Sequence, residues 1–84
     1  MDDIDPRTIA LGQEIRAEAA ALGVTLKALA ESVHIDRTSL YKYLDGQRAM
    51  PLPVLRDIAA ALRLSPAELL NRGEDRARRN ARSV

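Results

Sequence analysis

The sequence predicts an all-α domain, and three observations predict it. Among the apolar residues 14 are Ala and 12 are Leu, with only two aromatics, a composition that suits helices better than strands. Apolar positions recur at spacings of three and four through most of the chain. Asp5-Pro6, Thr25, Asp36 and Ser65-Pro66 each put a side-chain acceptor where a helix start needs one. At 84 residues the chain makes one domain with a small core, burying roughly 60–65% of its unfolded surface, which excludes a two-domain enzyme.

The first helix is expected over 6–22, with Asp5 as N-cap, Pro6 in the first turn, and Leu11, Ile15, Ala19 and Leu22 as its apolar face up to the terminator Gly23. Thr25 opens a short second helix, 25–33, with Leu26, Leu29, Ala30 and Val33 apolar. His34-Ile35 is a break, and Asp36 starts a third helix, 36–45, ending at Asp45-Gly46. A loop at 47–50 leads to a fourth, 52–63, with Val54, Leu55, Ile58, Ala59 and Leu62 inward. Ser65-Pro66-Ala67-Glu68 has the composition of a capping box and opens a fifth, 66–72. Gly46 and Gly73 read as ordinary helix stops, so residues 1–73 form the domain. Residues 74–84, with no large apolar residue before Val84, are expected to be a mobile basic tail.

Composition narrows the chemistry. Without Cys there is no disulfide or thiolate metal site, and one His makes no imidazole cluster, so no metal and no cofactor are expected. Asp2, Asp3 and Asp5 lack the glycine turn and distal Glu of a calcium loop and read as helix-dipole partners. Ser39 has no His or Lys at the spacing of a catalytic partner, so no catalytic residue is assigned. Apolar runs fall short of the roughly 20 residues a membrane span needs, and the acidic start is unlike a signal peptide, so the expected location is the bacterial cytoplasm or nucleoid. The net charge is +1, yet residues 1–18 sum to −3 and residues 72–84 to +3, an asymmetry that hints at a functional surface.

Two short helices joined by a tight turn and flanked by longer ones are the parts of a helix-turn-helix unit. On the second of them Leu40, Tyr43 and Leu44 fall on one side, while Arg37, Thr38, Tyr41 and Lys42 fall on the other. The first set packs; the second offers donors suited to guanine edges, thymine methyls and phosphates. Tyr41 is expected to bind and Tyr43 to pack.

Here the sequence resembles the Xre-type helix-turn-helix domain shared by lambda-like phage repressors, Cro proteins and many bacterial regulators. The resemblance covers residues 9–72. It rests on Gly23-Val24-Thr25, Leu29-Ala30-Glu31, Ile35-Asp36-Arg37-Thr38-Ser39-Leu40, Asp45-Gly46, Pro51, Leu55 and the run from Ile58 to Leu70. It implies a five-helix domain whose third helix enters the DNA major groove, with Arg37, Thr38, Tyr41 and Lys42 reading bases and Gln47 and Arg48 near phosphate. Ser39 joins them as a phosphate-positioning residue. Leu26 stands where many members carry a phosphate-gripping Gln, which leaves that contact absent or made by Thr25 or Lys27. His34 stands where many carry Gly, and must take a positive φ or alter the turn. Ala19 and Leu44 replace an Arg–Glu pair, a change that costs the fold little.

The implied function is a sequence-specific transcriptional regulator, a repressor of phage or prophage type that occludes a promoter on double-stranded DNA. No small-molecule ligand and no membrane partner are expected. The alternative is an antitoxin or adaptor of the same fold whose main partner is a protein. A homodimer is possible, with Leu52, Leu64 and Leu69 as the spare apolar positions. Arg76, Arg78, Arg79 and Arg82 of the tail suit a DNA-tracking arm, a linker to a further domain, or a solubilising end.

Overall fold

A computed structural model of the chain describes residues 5–82. In order the helices are α1 (Pro6–Ala21), α2 (Leu26–Ser32), α3 (Arg37–Leu44), α4 (Leu52–Ala61) and α5 (Pro66–Arg82), with no strand among the described residues. Asp2, Asp3 and Val84 lie outside the described residues; Asp5 is within them.

The helix starts follow local chemistry. Asp5 accepts from the Arg7 amide at 2.8 Å, and Thr25 Oγ1 accepts from the Ala28 amide at 3.0 Å. Ser65 and Glu68 form the reciprocal capping box: the Glu68 amide donates to Ser65 Oγ at 3.0 Å while the Ser65 amide donates to Glu68 Oε1 at 2.9 Å. Asp36 holds the N-cap position of α3 without a side-chain hydrogen bond to the helix amides.

The first four helices end in the same way. Gly23, His34, Gly46 and Arg63 all have φ between 60° and 75°. Behind them the amides of Val24, Ile35, Gln47 and Leu64 donate to the carbonyls of Ala19, Ala30, Lys42 and Ala59, five residues upstream, at 2.8–3.1 Å. This is the Schellman closure, in which the residue after the helix cap turns left-handed to satisfy the last carbonyls. In α1, α2 and α4 it joins a buried Ala to a half-buried Val, Ile or Leu packed on the core. At the end of α3 it joins Lys42 to the exposed Gln47, so this helix alone among the four directs its closure toward solvent.

Each helix supplies one large, fully buried side chain to the core: Ile15, Leu29, Leu40, Ile58 and Leu69. Burying a side chain of this size contributes about 1.5–3 kcal/mol. Around them close Ala19, Ala30, Val33, Leu44, Leu55, Ala59 and Leu62. Helix α1 runs between α3 and α5, so Ala10, Gly12 and Glu14 are buried as well as Ile15 and Ala19, a wider face than one apolar stripe. Leu22, expected on that face, is 43% exposed because it already caps the helix.

The expected tail is corrected. Helix α5 does not stop at Gly73 but continues to Arg82, packed antiparallel on α1. Gly73 is buried, and a Cβ there would meet Leu11 Cδ1 at 3.1 Å and Leu11 Cα at 3.2 Å, so glycine serves close helix approach rather than termination. Arg72 reaches Glu18 at 2.7 Å, Arg76 reaches Glu14 at 2.9 Å, and Asn80 donates to Gln13 at 2.8 Å. Part of the charge asymmetry between the chain ends, Glu14 and Glu18 against Arg72 and Arg76, is therefore a seam between α1 and α5. Leu69, expected as a spare, is wholly buried, whereas Leu52 is 53% and Leu70 40% exposed.

Candidate nucleic-acid interface

Helices α2 and α3 are held to one another by Leu29, Ala30 and Val33 on one side and Leu40 and Leu44 on the other, all buried. The connection Val33–Asp36 is tight because His34 turns left-handed at φ 60°, the conformation expected where the family carries Gly. With Leu40, Tyr43 and Leu44 committed to the core, α3 turns Arg37, Thr38 and Tyr41 to solvent, and Lys42 is half-buried. Arg37 occupies the first position of the helix, beside the exposed N-cap Asp36.

The remaining expected residues have individual settings. Thr25 and Lys27 are exposed at the start of α2; Thr25 Oγ1 already accepts from Ala28, leaving its hydroxyl proton for another acceptor. Gln47 and Arg48 are exposed just after α3. The Arg48 guanidinium lies 6.0 Å from the centroid of the Tyr43 ring, a cation–π contact that ties the loop to the helix. Ser39 is half-buried beside Asp36, and its hydroxyl is the main cause holding the Asp36 carboxyl below its ordinary pKa, with Lys42 a smaller one. Ser39 thus serves a neighbouring carboxylate.

Arg16, absent from the set that periodicity and resemblance predict, borders this surface from α1. It donates to the Asp45 carboxylate at 3.1 Å and lies 5.8 Å from the Tyr41 ring centroid. Its partners are distant in sequence, and nothing in the periodicity of α1 distinguishes it from a solvated charge. Among the described residues no group of three or more His, Cys, Asp or Glu is arranged to hold a metal, and no helix is long and apolar enough to cross a membrane.

The sequence pattern of the helix-turn-helix domain matches residues 10–71, most of the folded chain. The chain belongs to the helix-turn-helix domain family. This helix-turn-helix domain is similar in structure to the clp gene regulator ClgR from Corynebacterium glutamicum, at TM-score 0.85 and 28% identity over 94% of this chain and 83% of that one. It is also similar to the restriction-modification controller protein C.AhdI from Aeromonas hydrophila, at TM-score 0.69 and 31% identity over 74% of this chain and 94% of that one. Both neighbours are of the Xre, lambda-like type, and the five-helix fold is that of helix-turn-helix transcriptional regulators. No curated protein matches the chain in sequence.

Ala19 and Leu44, standing where many members have an ion pair, are both buried in the core. The ion pair between these two helices lies further out instead, as Arg16–Asp45, with side chains 42% and 49% exposed. The expected phosphate-tracking tail also changes character: Arg76 is committed to Glu14 and Arg78 to Asp75, so α5 functions first as a structural helix.

Proposed function

We propose that this helix-turn-helix domain is a sequence-specific, double-stranded DNA-binding transcriptional regulator that represses by occupying a promoter. The observation that carries the reading is the division of α3: one face buried in the core, the other presenting Arg37, Thr38 and Tyr41 to solvent with Lys42 at its edge. Arg and Lys pair with guanine O6 and N7, Thr with base edges or a thymine methyl, and Tyr with a methyl or a phosphate. Thr25 and Lys27 on one flank, and Gln47 and Arg48 on the other, set the register on phosphates, with Ser39 supporting the N-terminal turn of α3. Assignment to a phage or prophage repressor rests on the sequence resemblance; the structural neighbours act as a clp gene regulator and a restriction-modification controller.

Selection of bound duplexes from a random pool, followed by affinity at two salt concentrations for wild type, Lys42→Ala and Arg48→Ala, tests the reading. The expected result is an enriched motif, a loss of about 1–3 kcal/mol and of base preference for Lys42→Ala, and a salt slope smaller by about 0.9 with the motif kept for Arg48→Ala. A palindromic motif with half-sites one helical turn apart reports a dimer. No enrichment and only weak, salt-driven binding overturns the proposal in favour of a protein-binding adaptor or antitoxin.

A further inference from the structure

The Arg16 guanidinium spans two residues one turn apart at the end of α3. It donates to Asp45 at 3.1 Å and covers the Tyr41 ring at 5.8 Å from its centroid. Tyr41 is 40% exposed, so core packing does not by itself hold the ring. Tyr43 differs: it is buried to 9% exposure, and Arg48, 6.0 Å from its centroid, lies over a ring already held by its neighbours. A cation anchored at Asp45 and held over an exposed ring limits the positions open to that ring, and the rigid fork of Arg does so while using its remaining N–H groups elsewhere.

Asp45 gives the arrangement a second consequence. A carboxylate at the end of a helix that approaches DNA repels phosphate, and Arg16 offsets that charge. We propose that Arg16 is a specificity-determining positioning residue: it fixes the Tyr41 ring on the outward face of α3 and neutralises Asp45 beside it. The inference rests on the reading of α3 as the DNA-reading helix. It assigns to α1 a part in base selection that the base-reading set on α3 does not include.

The test combines duplex selection and affinity for wild type, Arg16→Ala, Arg16→Lys, Tyr41→Ala and Arg16→Ala/Asp45→Asn with tyrosine emission in a Tyr43→Phe background, where Tyr41 is the remaining fluorophore. Arg16→Ala is expected to lose preference at the same base position as Tyr41→Ala, keep the rest of the motif, and weaken cognate binding roughly five- to tenfold. Adding Asp45→Asn recovers affinity without the lost preference. Arg16→Lys, whose compact ammonium offsets Asp45 but lacks the fork that reaches Asp45 and covers Tyr41 together, behaves likewise. Tyr41 emission changes in Arg16→Ala at an unchanged melting temperature. An Arg16→Ala motif identical to wild type, a motif degraded evenly at every position, or unchanged Tyr41 emission overturns the proposal. A wild type that enriches no motif while Arg16→Ala still alters Tyr41 emission overturns the DNA reading, and with it the base-selecting role, but not the contact.

Discussion

Gly12 of α1 lies directly against the carbonyl of Leu44 at the end of α3, so closely that a Cβ on Gly12 would fall on that carbonyl group and 2.8 Å from Leu44 Cα. Glycine inside a helix ordinarily costs about 0.5–1 kcal/mol relative to Ala, and here it is retained because backbone, not a movable side chain, occupies the space. Gly12→Ala is therefore expected to destabilise the domain by about 3 kcal/mol, the upper part of the overpacking range, despite its favourable helix propensity. Urea unfolding followed by circular dichroism measures this; a neutral or stabilising change would mean that α3 shifts without cost.

His34 and Arg63 carry the left-handed closures of α2 and α4 without being glycine. A side chain in this conformation costs roughly 1–2 kcal/mol, part of which glycine gives back through its larger unfolded-state entropy. His34→Gly and Arg63→Gly should each raise stability by about 0.5–1 kcal/mol in thermal or urea unfolding. Cognate DNA affinity of His34→Gly should remain as in wild type, since the turn geometry is kept.

Truncation after Gly73 distinguishes a structural α5 from a dispensable tail. It removes Arg76 from Glu14, which is 7% exposed, and Asn80 from Gln13. Leaving a largely buried carboxylate without its cation is expected to cost roughly 1–3 kcal/mol. Arg76→Ala should reproduce much of that loss, and Arg76→Ala/Glu14→Leu should recover it. Urea midpoints of the three proteins check the order, and an unchanged midpoint on truncation would restore the tail reading.

Acid should weaken the α5 capping box and the contact of Ser39 with Asp36. The Ser65 amide first, and then its hydroxyl, hold the Glu68 carboxyl below its ordinary value of 4.5, and the Ser39 hydroxyl holds Asp36 below 3.8. A carboxyl with a depressed folded pKa adds stability that is complete above the unfolded value and lost as pH falls through the lower folded one. The urea midpoint should thus be level between about pH 7 and pH 5 and decline below the ordinary Glu and Asp values. Glu68→Gln should make that decline shallower; an unchanged acid limb would remove the capping box as a contributor.

Local chemistry made much of the fold readable. Asp5, Thr25 and the Ser65–Glu68 pair cap helices through partners two or three residues away, so their chemistry is visible in a short window. The outward set Arg37, Thr38 and Tyr41 follows from the period of α3, whereas the positive φ of His34 is foreshadowed only by the resemblance, which puts Gly at that turn. Ala19-Gly23-Val24, Ala30-His34-Ile35 and Ala59-Arg63-Leu64 share one spacing, and each is a helix closure, although only the first uses the glycine that marks such a stop in sequence.

The path of α5 was not readable in this way. Its anchors on α1 lie 54, 62 and 67 residues away in sequence, so the segment after Gly73 looks polar and unsupported until α1 lies beside it. The same holds for Arg16, whose partner Asp45 is 29 residues distant, and for Gly12, whose value depends on where Leu44 comes to rest. Periodicity and caps settle where the helices start and which way α3 and α4 face, because those are nearest-neighbour effects. Only the assembled domain decides which charges pair, which glycine admits a neighbouring backbone, and which side chain from α1 stands beside Tyr41, because those depend on distances that exist only once the helices have packed.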